Sequence, residues 1–560
     1  MRVVGISAAH DGSVAVYCDG KIEFFCKEER LTRKKRDKRP YSAMYEALKF
    51  LNGKKVDAVA LSSPHGTAVD PTLEILVDIS KKMFKTQEVH QLFLSHHLCH
   101  ANLAFYNSGF EKAVVVVVDR NGSDHPESRG LMFETESVFT AEYPGKFTEI
   151  NKNYMTLARG ESADPTIMSI VLSENKKKPH CVTKCNSLYG ITKVYETATV
   201  LIGQDIMENG KTMGLAAYGS KMDPSPMFFV SDGTSNDSLF FYSLYKDYYD
   251  KKIKSLTKEN HKLYADYAHE VQTQTQEQVL KLIKSAVERT GIKNVCVTGG
   301  YGLNVVANGY YISQMPDVNF FFEPLADDTG NSIGAAMRVY REITKDTKIY
   351  PLKDTFFNGH QPSLDVENLS KTMTPFIHTK EIETKEVAQM LVENKKVAVF
   401  SGKSEAGPRA LGNRSILFYP VLQDSKDIVN KIKKREWYRP FAACVLKEDA
   451  NQYFNMMNIK DSPYMTVSFD CLEHTKELFP GIVHVDGSCR VQTVDEDNKN
   501  LYALLSELKK ITGHGLLLNT SFNGAGDPLV ETLSEAVDFL LKSQLDCIWT
   551  PDNGKIIFKR

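Results

Sequence analysis

Five consecutive valines, Val114 to Val118, run directly into an aspartate in the string KAVVVVVDRNGSD. An unbroken run of β-branched apolar residues predicts a strand that is covered on both faces, as in sheets flanked by helices. A second such strand is predicted in NVCVTGGYGLN, and the helical periodicity of residues 262–290 leads into it. The string DDTGNSIGAAMRVYREI then predicts a loop that enters a helix near Ser332. Buried strands that alternate with helices predict an α/β fold.

The length of the chain requires more than one domain. A single hydrophobic core rarely grows beyond ~300 residues, and this chain has 560. Residues 346–380 combine prolines with mixed polar residues and lack a long periodic segment, so we predict a linker there. A helical pattern and a strand follow in KEVAQMLVENKKVAVFSG. The sequence therefore predicts one domain over residues 1–345 and a second α/β domain over residues 381–560.

Composition and charge exclude several classes of protein. Hydrophobic residues make up 42% and charged residues 25%, and the formal net charge of -1 gives no argument for a polyanionic partner. No apolar run approaches the ~20 residues of a membrane span, and the N-terminal string MRVVGISAAHDG predicts a strand and turn, not a signal peptide. Scattered cysteines without a signal favour reduced thiols. We therefore expect a cytoplasmic protein without a membrane partner.

Three histidines lie close together in the string SHHLCHANLAFYN. His96 and His100 are four residues apart, which on a helix places both imidazoles on one face. Asp119 ends the valine strand, and Asp328 lies in the loop DDTGN ahead of a helix. Two imidazoles and two carboxylates suit Fe, Mn or Zn, with positions left open for a substrate. The spacing alone does not decide the question, because helical HxxxH pairs are more often structural than ligands.

Two glycine-rich loops are candidates for contact with a nucleotide. TGGYGLNVVANG (298–309) follows a buried strand, and NGKTMGLAAYG (209–219) has a similar composition. Such loops allow backbone N–H groups to approach a phosphate or a ribose. Neither loop is a Walker A sequence or a GxGxxG in its strand–helix context, and paired glycines are common in turns. A purely structural role therefore remains an alternative interpretation of both glycine-rich loops.

Basic residues of the second domain concentrate in apolar or turn-rich strings. SGKSEAGPRALGNRSILFYP contains Arg409 and Arg414. NKIKKREWYRPFAACVL contains Lys433 and Arg439, and HVDGSCRVQTV contains Arg490. Guanidinium groups beside glycine-rich turns suit a bidentate grip on phosphate or carboxylate. Because these residues do not lie on a polar helix face, their setting favours an anion site over scattered surface charges.

These motifs together resemble those of the ATP-dependent O-carbamoyltransferases of the NodU/CmcH type, which include the tobramycin and cephamycin carbamoyltransferases. The resemblance covers nearly the whole chain, and the joint order of the motifs makes it highly specific. The strings that carry it are AHDGSVAV, EERLTRKK, HHLCHA, the aspartate after VVVVV, GKTMGLAAYG, GGYGLNVVANG, DDTGNSIGAA, EAGPRALGNRSIL, KKREWYRPFA, HVDGSCRVQTV and LNTSFNGAGDPLV.

The resemblance implies a fold and a reaction for each domain. The first domain is expected to have the Kae/TsaD-like fold of the actin/Hsp-seventy/sugar-kinase class, and the second a YrdC-like fold. In the second domain, carbamoyl phosphate and ATP, supplied as its Mg²⁺ complex, are expected to form carbamoyl adenylate. In the first, the carbamoyl group passes to an acceptor hydroxyl and AMP is released. The acceptor is left open among a sugar, a natural product and a hydroxymethylated pyrimidine nucleotide or DNA. Nucleic acid enters only as an acceptor, and a homodimer is compatible with the resemblance.

The resemblance also implies roles for individual residues. His10, in AHDG, matches the histidine proposed as general base for the acceptor hydroxyl. The family's metal ligands, for which iron as Fe²⁺ is expected, match His96, His100, Asp119 and Asp328. The residues that match the adenylate site are Arg409, Lys433, Arg439, Arg490 and Ser521. Those that match a nucleotide-contacting loop of the first domain are Gly299, Gly300 and Asn304.

The sequence departs from the family pattern at two places, and two alternative functions are kept open. After Asp119 the family has a DGxG turn where this chain has DRNGSD, which bears on the size of the acceptor pocket. Ala525 and Asp527 stand where many members have an arginine or proline and a glutamate, so one adenylate contact is missing or replaced. The alternatives are a fused tRNA threonylcarbamoyl-adenosine enzyme and a non-catalytic nucleotide- and metal-binding protein. A hydrogenase-maturation carbamoyltransferase is disfavoured, because the sequence lacks its paired CxxC zinc fingers.

Overall fold

The computed structural model describes residues 1–67, 69–128, 131–156, 165–186, 190–229, 235, 256–257, 259–373 and 375–560. The chain divides into two compact units. The first comprises Met1–Glu23 and Lys38–Leu352, and the second comprises Phe24–Asp37 and Lys353–Arg560. All ten cysteines are free thiols. Over the described residues, every helix is too short or too polar to cross a bilayer.

Two sheets and a set of helices form the first unit. The sheet β3-β2-β1-β4-β5 consists of β1 Arg2–Ser7, β2 Ser13–Cys18, β3 Lys21–Lys27, β4 Ala58–Ser62 and β5 Val89–Leu92. Of β3, residues 21–23 are counted with this unit and the remainder with the second. The sheet β11-β10-β6-β7-β8-β9 consists of β6 Lys112–Val118, β7 Met132–Glu142, β8 Lys146–Thr156, β9 Val182–Asn186, β10 Asn294–Thr298 and β11 Asn319–Phe322. The helices are Tyr41–Leu51, Thr72–Phe84, His96–Ser108, Pro165–Lys177, Ile191–Leu201, Asn209–Ala216, His261–Thr290, Val305–Gln314 and Asn331–Thr344. The α/β class and the valine strand are therefore confirmed.

The five strands of the first sheet and five of the six in the second follow one order, with β9 as the additional strand, although the sequence shows no internal repeat. In each sheet the first strand in the chain, β1 or β6, is central. It pairs antiparallel with the next strand, β2 or β7, and parallel with a later one, β4 or β10. The loops after β1 and β6 are therefore equivalent, and they carry His10 and Asp119. Buried strands require only apolar side chains, so the topology repeats while the residues differ.

A close contact between two helices brings the candidate ligands together. The His96–Ser108 helix carries both histidines, and the Asn331–Thr344 helix follows Asp328 directly. A Cβ added at Gly334 of the second helix would lie 2.1 Å from the carbonyl oxygen of Cys99 on the first. Only a glycine at this position allows the two backbones to approach so closely.

The second unit is built on one large mixed sheet in the order β12-β21-β20-β13-β14-β19-β15-β18-β17-β16. The strands are β12 Ile377–Glu381, β13 Val397–Phe400, β14 Arg414–Phe418, β15 Ala442–Leu446, β16 Phe454–Asn455, β17 Ser468–Cys471, β18 Ser488–Val494, β19 Leu516–Ser521, β20 Cys547–Thr550 and β21 Lys555–Lys559. The helices are Glu28–Thr32, Val366–Thr372, Thr384–Val392, Ser425–Lys433, Ala450–Tyr453, Glu473–Leu478, Lys499–Thr512 and Leu533–Lys542. A second α/β region is therefore present.

One division between the units, at Leu352 and Lys353, lies within the predicted linker over residues 346–380, and a second involves an earlier segment. The segment Phe24–Asp37 belongs to the second unit, because its arginines are bonded there. Arg30 donates to Ser404 Oγ (3.1 Å) and to the carbonyl of Glu405 (3.0 Å), and Arg33 donates to the carbonyl of Leu529 (2.7 Å). Such long-range contacts leave no local signature in the sequence.

Replacing Gly334 by alanine tests the contact between the two helices. The added methyl group collides with the backbone at Cys99, so Gly334→Ala should lower the free energy of unfolding by roughly 1–3 kcal/mol. Gly210→Ala is the matched control, since it also lies in a helix and its added Cβ meets nothing within 4 Å. Thermal unfolding should show a lower Tm for Gly334→Ala alone. Equal Tm values for the two variants would contradict the close contact.

Candidate active site

Two histidines and two aspartates converge in the first unit. His96 and His100 lie one turn apart at the start of their helix and face the same side. Asp119 follows β6, and Asp328 opens the short turn ahead of the Asn331–Thr344 helix. One possible ligand atom from each of the four side chains lies within 4.8 Å of the others, and all four residues are buried. We refer to these four residues as the ligand cluster.

Opposite charges hold the ligand cluster together. His96 Nε2 lies 3.3 Å from Asp119 Oδ2 and 3.3 Å from Asp328 Oδ1, and His100 Nε2 lies 3.4 Å from Asp328 Oδ1. Burial and the neighbouring Asp328 act to raise the pKa of Asp119, but the two imidazoles outweigh them and bring it to about 2. Burial acts to lower the pKa of His96, yet the two aspartates raise it well above its usual range. His96 and the two aspartates therefore stabilise one another's charges.

The donor set fits a divalent metal ion. Both ring nitrogens of His100 are buried, and Nδ1 has neither a hydrogen bond nor an ion pair within the described part of the chain. An unpaired buried polar atom costs about 1–3 kcal/mol, and metal coordination would remove that cost. Two imidazoles with two carboxylates suit Fe, Mn or Zn. The chemistry and the burial of these four side chains thus make them a candidate metal centre.

His10 borders the ligand cluster at its accessible side. Its Nε2 lies 3.4 Å from Asp328 Oδ2, its Nδ1 lies 2.7 Å from Asp11 Oδ2, and 36% of its side chain is exposed. Burial acts to lower the pKa of His10, but Asp328 and Asp11 together raise it to about 9. Asp11 lies within the motif AHDG, yet sequence reasoning gave it no role. The pair can hold and move a proton next to the candidate metal centre.

His97 faces away from the ligand cluster. Its Nδ1 lies 2.7 Å from Ser137 Oγ, and burial followed by the charge of Lys152 lowers its pKa well below the usual range. A neutral, hydrogen-bonded histidine of this kind is a packing residue.

The predicted nucleotide loop lies against the ligand cluster. Gly299 has φ +84°, and an added Cβ would lie 2.4 Å from the carbonyl oxygen of Val118, so a glycine is needed here. The N–H of Gly300 donates to Asp119 Oδ1 (3.0 Å). The side chain of Asn304 accepts from the N–H of Ala307 (3.1 Å) and so caps a helix. The described contacts of this loop orient Asp119 and support local structure, and its role toward a nucleotide stays a prediction.

A second cluster of polar residues lies in the second unit. Buried Lys433 donates to Ser521 Oγ (3.0 Å), to the Ser521 carbonyl and to the Asn523 carbonyl (2.7 Å). The strand register relates Arg490 to the strand that ends at Ser521. Ala442 on β15 pairs with Arg490 on one side and with Asn519 on the other. Arg490 on β18 therefore lies two strands away from β19, the strand that ends at Ser521.

The arginines of this unit repel one another. Burial, followed by the charges of Arg490 and Arg439, lowers the pKa of Arg409 well below its usual range. Burial and Arg439 also lower the pKa of Arg490 to about 10, against an opposing effect of Cys489. Burial and the charges of Arg439 and Arg490 lower the pKa of Arg435. Cations held within range of each other in this way form a site that favours an anion.

Arg414 does not belong to this anion site, contrary to the sequence interpretation. It is fully buried and donates to the carbonyls of Ser401 (2.6 Å), Gly402 (3.1 Å) and Val530 (3.1 Å). Its guanidinium also lies 3.8 Å from the centre of the Phe400 ring. Its role is to hold the backbone around the glycine-rich loop.

Glu405 positions the loop that carries Arg409. Its Oε1 accepts hydrogen bonds from the N–H groups of Leu411 (2.7 Å), Asn413 (2.9 Å) and Arg414 (3.2 Å). Sequence reasoning missed this residue, because a glutamate within SGKSEAGPRALGN carries no signal that separates a structural anchor from a solvated charge.

Comparison with known proteins gives a consistent family. Two family models match the chain, described as carbamoyltransferase N-terminus over residues 65–337 and carbamoyltransferase C-terminus over residues 388–554. Nodulation protein NolNO of Sinorhizobium fredii is 27% identical over 96% of this chain and 77% of its own length. Nodulation protein U of Sinorhizobium fredii is 26% identical over 98% of each chain.

Solved structures show only a distant likeness. The crystal structure of HypF from T. kodakarensis covers 61% of this chain and 47% of its own, with 15% sequence identity and a TM-score of 0.39. A likeness at that level supports no conclusion about fold or activity.

The ligand cluster predicts that the purified protein binds one divalent metal ion. His100→Ala removes one imidazole and leaves two carboxylates facing an incomplete site, so the variant should lose most of the metal. His97→Gln is the control on the same helix, because His97 lies outside the cluster and its loss should leave metal content unchanged. Elemental analysis of the folded proteins measures both. Equal metal in His100→Ala and wild type would contradict the assignment.

Proposed function

The chain belongs to the NodU-type carbamoyltransferase family, and from that premise we propose that it forms carbamoyl adenylate and transfers the carbamoyl group to an acceptor hydroxyl. The observation that carries the proposal is the ligand cluster together with His10. Four ligand atoms lie within 4.8 Å of one another, and the Nε2 atom of His10, a histidine able to move a proton, lies 3.4 Å from Oδ2 of Asp328, one of the four residues. This arrangement supports a transfer step in which proton transfer and carbonyl activation occur side by side.

We propose that formation of the adenylate occurs in the second unit. Carbamoyl phosphate, ATP as its Mg²⁺ complex and one water give carbamoyl adenylate, pyrophosphate and phosphate. Apart from the water, every one of these species is anionic, and Arg409, Arg439 and Arg490 form a group of mutually repelling cations. Fixed cations of this kind stabilise negative charge that develops on phosphate oxygens. Lys433 is held by Ser521 and Asn523, so its ammonium group has a fixed position at the same site.

The transfer step is assigned to the first unit. The oxygen of the acceptor hydroxyl attacks the carbamoyl carbon, the bond from that carbon to the adenylate oxygen breaks, and AMP leaves with the electron pair. His10 takes the hydroxyl proton, and Asp11, whose Oδ2 lies 2.7 Å from Nδ1, orients the ring. A labile adenylate is preserved only if water is kept away from the carbamoyl carbon.

The candidate metal in this proposal is iron, held as Fe²⁺ by His96, His100, Asp119 and Asp328. A divalent ion there would act as a Lewis acid toward the carbamoyl oxygen and would offset the charge of Asp328. Offsetting that charge matters for His10, because burial acts to lower its pKa and the charge of Asp328, together with Asp11, raises it to about 9. A lower pKa leaves the imidazole neutral near neutral pH, as a general base must be.

The proposal retains the Kae/TsaD-like and YrdC-like folds as expectations for the two units and a cytoplasmic site of action. The duplicated strand order of the first unit supports the Kae/TsaD-like fold. The ten free thiols support a reducing compartment. The proposed acceptor hydroxyl belongs to a sugar, a natural product, or a hydroxymethylated pyrimidine in a nucleotide or in DNA.

Arg439→Ala tests the adenylate site. The substitution removes a charge-assisted contact to phosphate, so pyrophosphate release that depends on carbamoyl phosphate should fall by about 10²–10³-fold. Lys510→Ala is the control, because Lys510 is exposed and pairs only with Glu507 among the described residues. Unchanged pyrophosphate release in Arg439→Ala would contradict the assignment.

His10→Asn tests the transfer site separately. The variant should keep pyrophosphate release and lose carbamoyl transfer by about 10²–10⁴-fold, because no group remains to take the hydroxyl proton. Transfer is followed by mass spectrometry across hydroxylated acceptors. If His10→Asn blocks pyrophosphate release as fully as Arg439→Ala does, the two steps do not have separate sites.

A further inference from the structure

A salt bridge that the family pattern does not predict lies beside the ligand cluster. Arg120 is the first residue after Asp119, where the sequence departs from the glycine of the family turn. Its Nε lies 3.0 Å from Glu196 Oε2, and its Nη1 donates to Met207 Sδ (3.4 Å). The side chain of Glu196 is 5% exposed, whereas that of Arg120 is 30% exposed. The guanidinium is therefore fixed on one side and open on the other.

The helix that carries Glu196 is anchored to β7. The N–H of Ile191 donates to Glu136 Oε1 (2.7 Å), and a Cβ at Gly190 would lie 2.4 Å from Thr135. Lys193 lies three residues before Glu196, so the two side chains share one face of the helix. The anchoring thus fixes a lysine and a glutamate next to Arg120.

The positive charge of this group is only partly compensated. Lys193 forms no ion pair with any described residue, and burial followed by the charge of Arg120 lowers its pKa. One carboxylate, Glu196, therefore faces two cations. The charges of Asp119 and His10 also affect Glu196. Arg120, Lys193 and Glu196 therefore lie within electrostatic range of the ligand cluster.

We propose that the acceptor carries an anionic group, a phosphate or a carboxylate, which Arg120 and Lys193 bind while His10 faces the acceptor hydroxyl. This inference rests on the proposed transfer at the ligand cluster. A bound anion supplies the partner that Lys193 lacks, and it meets the open side of the Arg120 guanidinium, whose planar fork suits both groups. A neutral acceptor would leave two half-buried cations with a single carboxylate between them, which is the costlier arrangement.

Matched acceptor pairs test the inference. The pairs are a hydroxymethyl-pyrimidine nucleoside with its 5′-monophosphate, glucose with glucose 6-phosphate, and glucose with glucuronate. The last two pairs distinguish a phosphate from a carboxylate. For wild type, kcat/KM of carbamoyl transfer should be at least about tenfold higher for the anionic member, the order expected for one charge-assisted contact.

Variants of the two cations identify the residues responsible. Lys193→Gln and Arg120→Gln should reduce the preference for the anionic member to about threefold or less, and Lys193→Glu should reverse it. Lys281→Gln is the control, because Lys281 is exposed on another helix and should leave the preference unchanged. Circular dichroism and pyrophosphate release show whether each variant is folded, since adenylate formation does not depend on these residues in the proposal.

Three outcomes would overturn the inference. The first is a wild-type enzyme that serves neutral members as well as anionic ones, or carbamoylates no anionic acceptor. The second is an unchanged preference in Lys193→Gln and Arg120→Gln. The third is wild-type protein without pyrophosphate release that depends on carbamoyl phosphate, which overturns the proposed function as well and is thereby distinguishable from the other two.

Discussion

In the first unit, two buried aspartates are compensated by two imidazoles, and the rest of the unit depends on this interaction. Asp119 and Asp328 both lie 3.3 Å from His96, and Asp328 also lies 3.4 Å from His100. Burying an uncompensated ion costs several kcal/mol, so a site of this kind persists only where opposite charges meet. The same arrangement that stabilises the carboxylates also leaves a set of nitrogen and oxygen atoms suited to a divalent ion.

The fold supplies these four side chains from separate parts of the chain. The loops after β1 and β6 are equivalent in two sheets that share the order of five strands, and they present His10 and Asp119. The close approach at Gly334 then brings the helix of His96 and His100 against the helix that follows Asp328. The chemistry is thus a product of backbone geometry, and Arg120 adds to it a charge that depends on this chain's own sequence.

Local patterns predicted the elements of the fold and much of the ligand cluster. The valine run predicted β6, and the four-residue spacing predicted the shared face of His96 and His100. The remaining features depend on contacts between residues that are distant in the chain. Neither the bonding of Arg30 in the second unit nor the structural role of Arg414 has a local signal. The pairing of Arg120 with Glu196 likewise depends on tertiary packing, which cannot be predicted from the spacing of residues in the sequence.

X-ray absorption spectroscopy at the metal edge tests most directly whether the ligand cluster holds the ion. Protein loaded anaerobically with Fe²⁺ should show a first shell of nitrogen and oxygen atoms at about 2.0–2.2 Å, with the multiple scattering of two imidazoles. His96, His100, Asp119 and Asp328 provide only such atoms. A shell containing sulfur at about 2.3 Å would place the ion on cysteines and contradict the assignment.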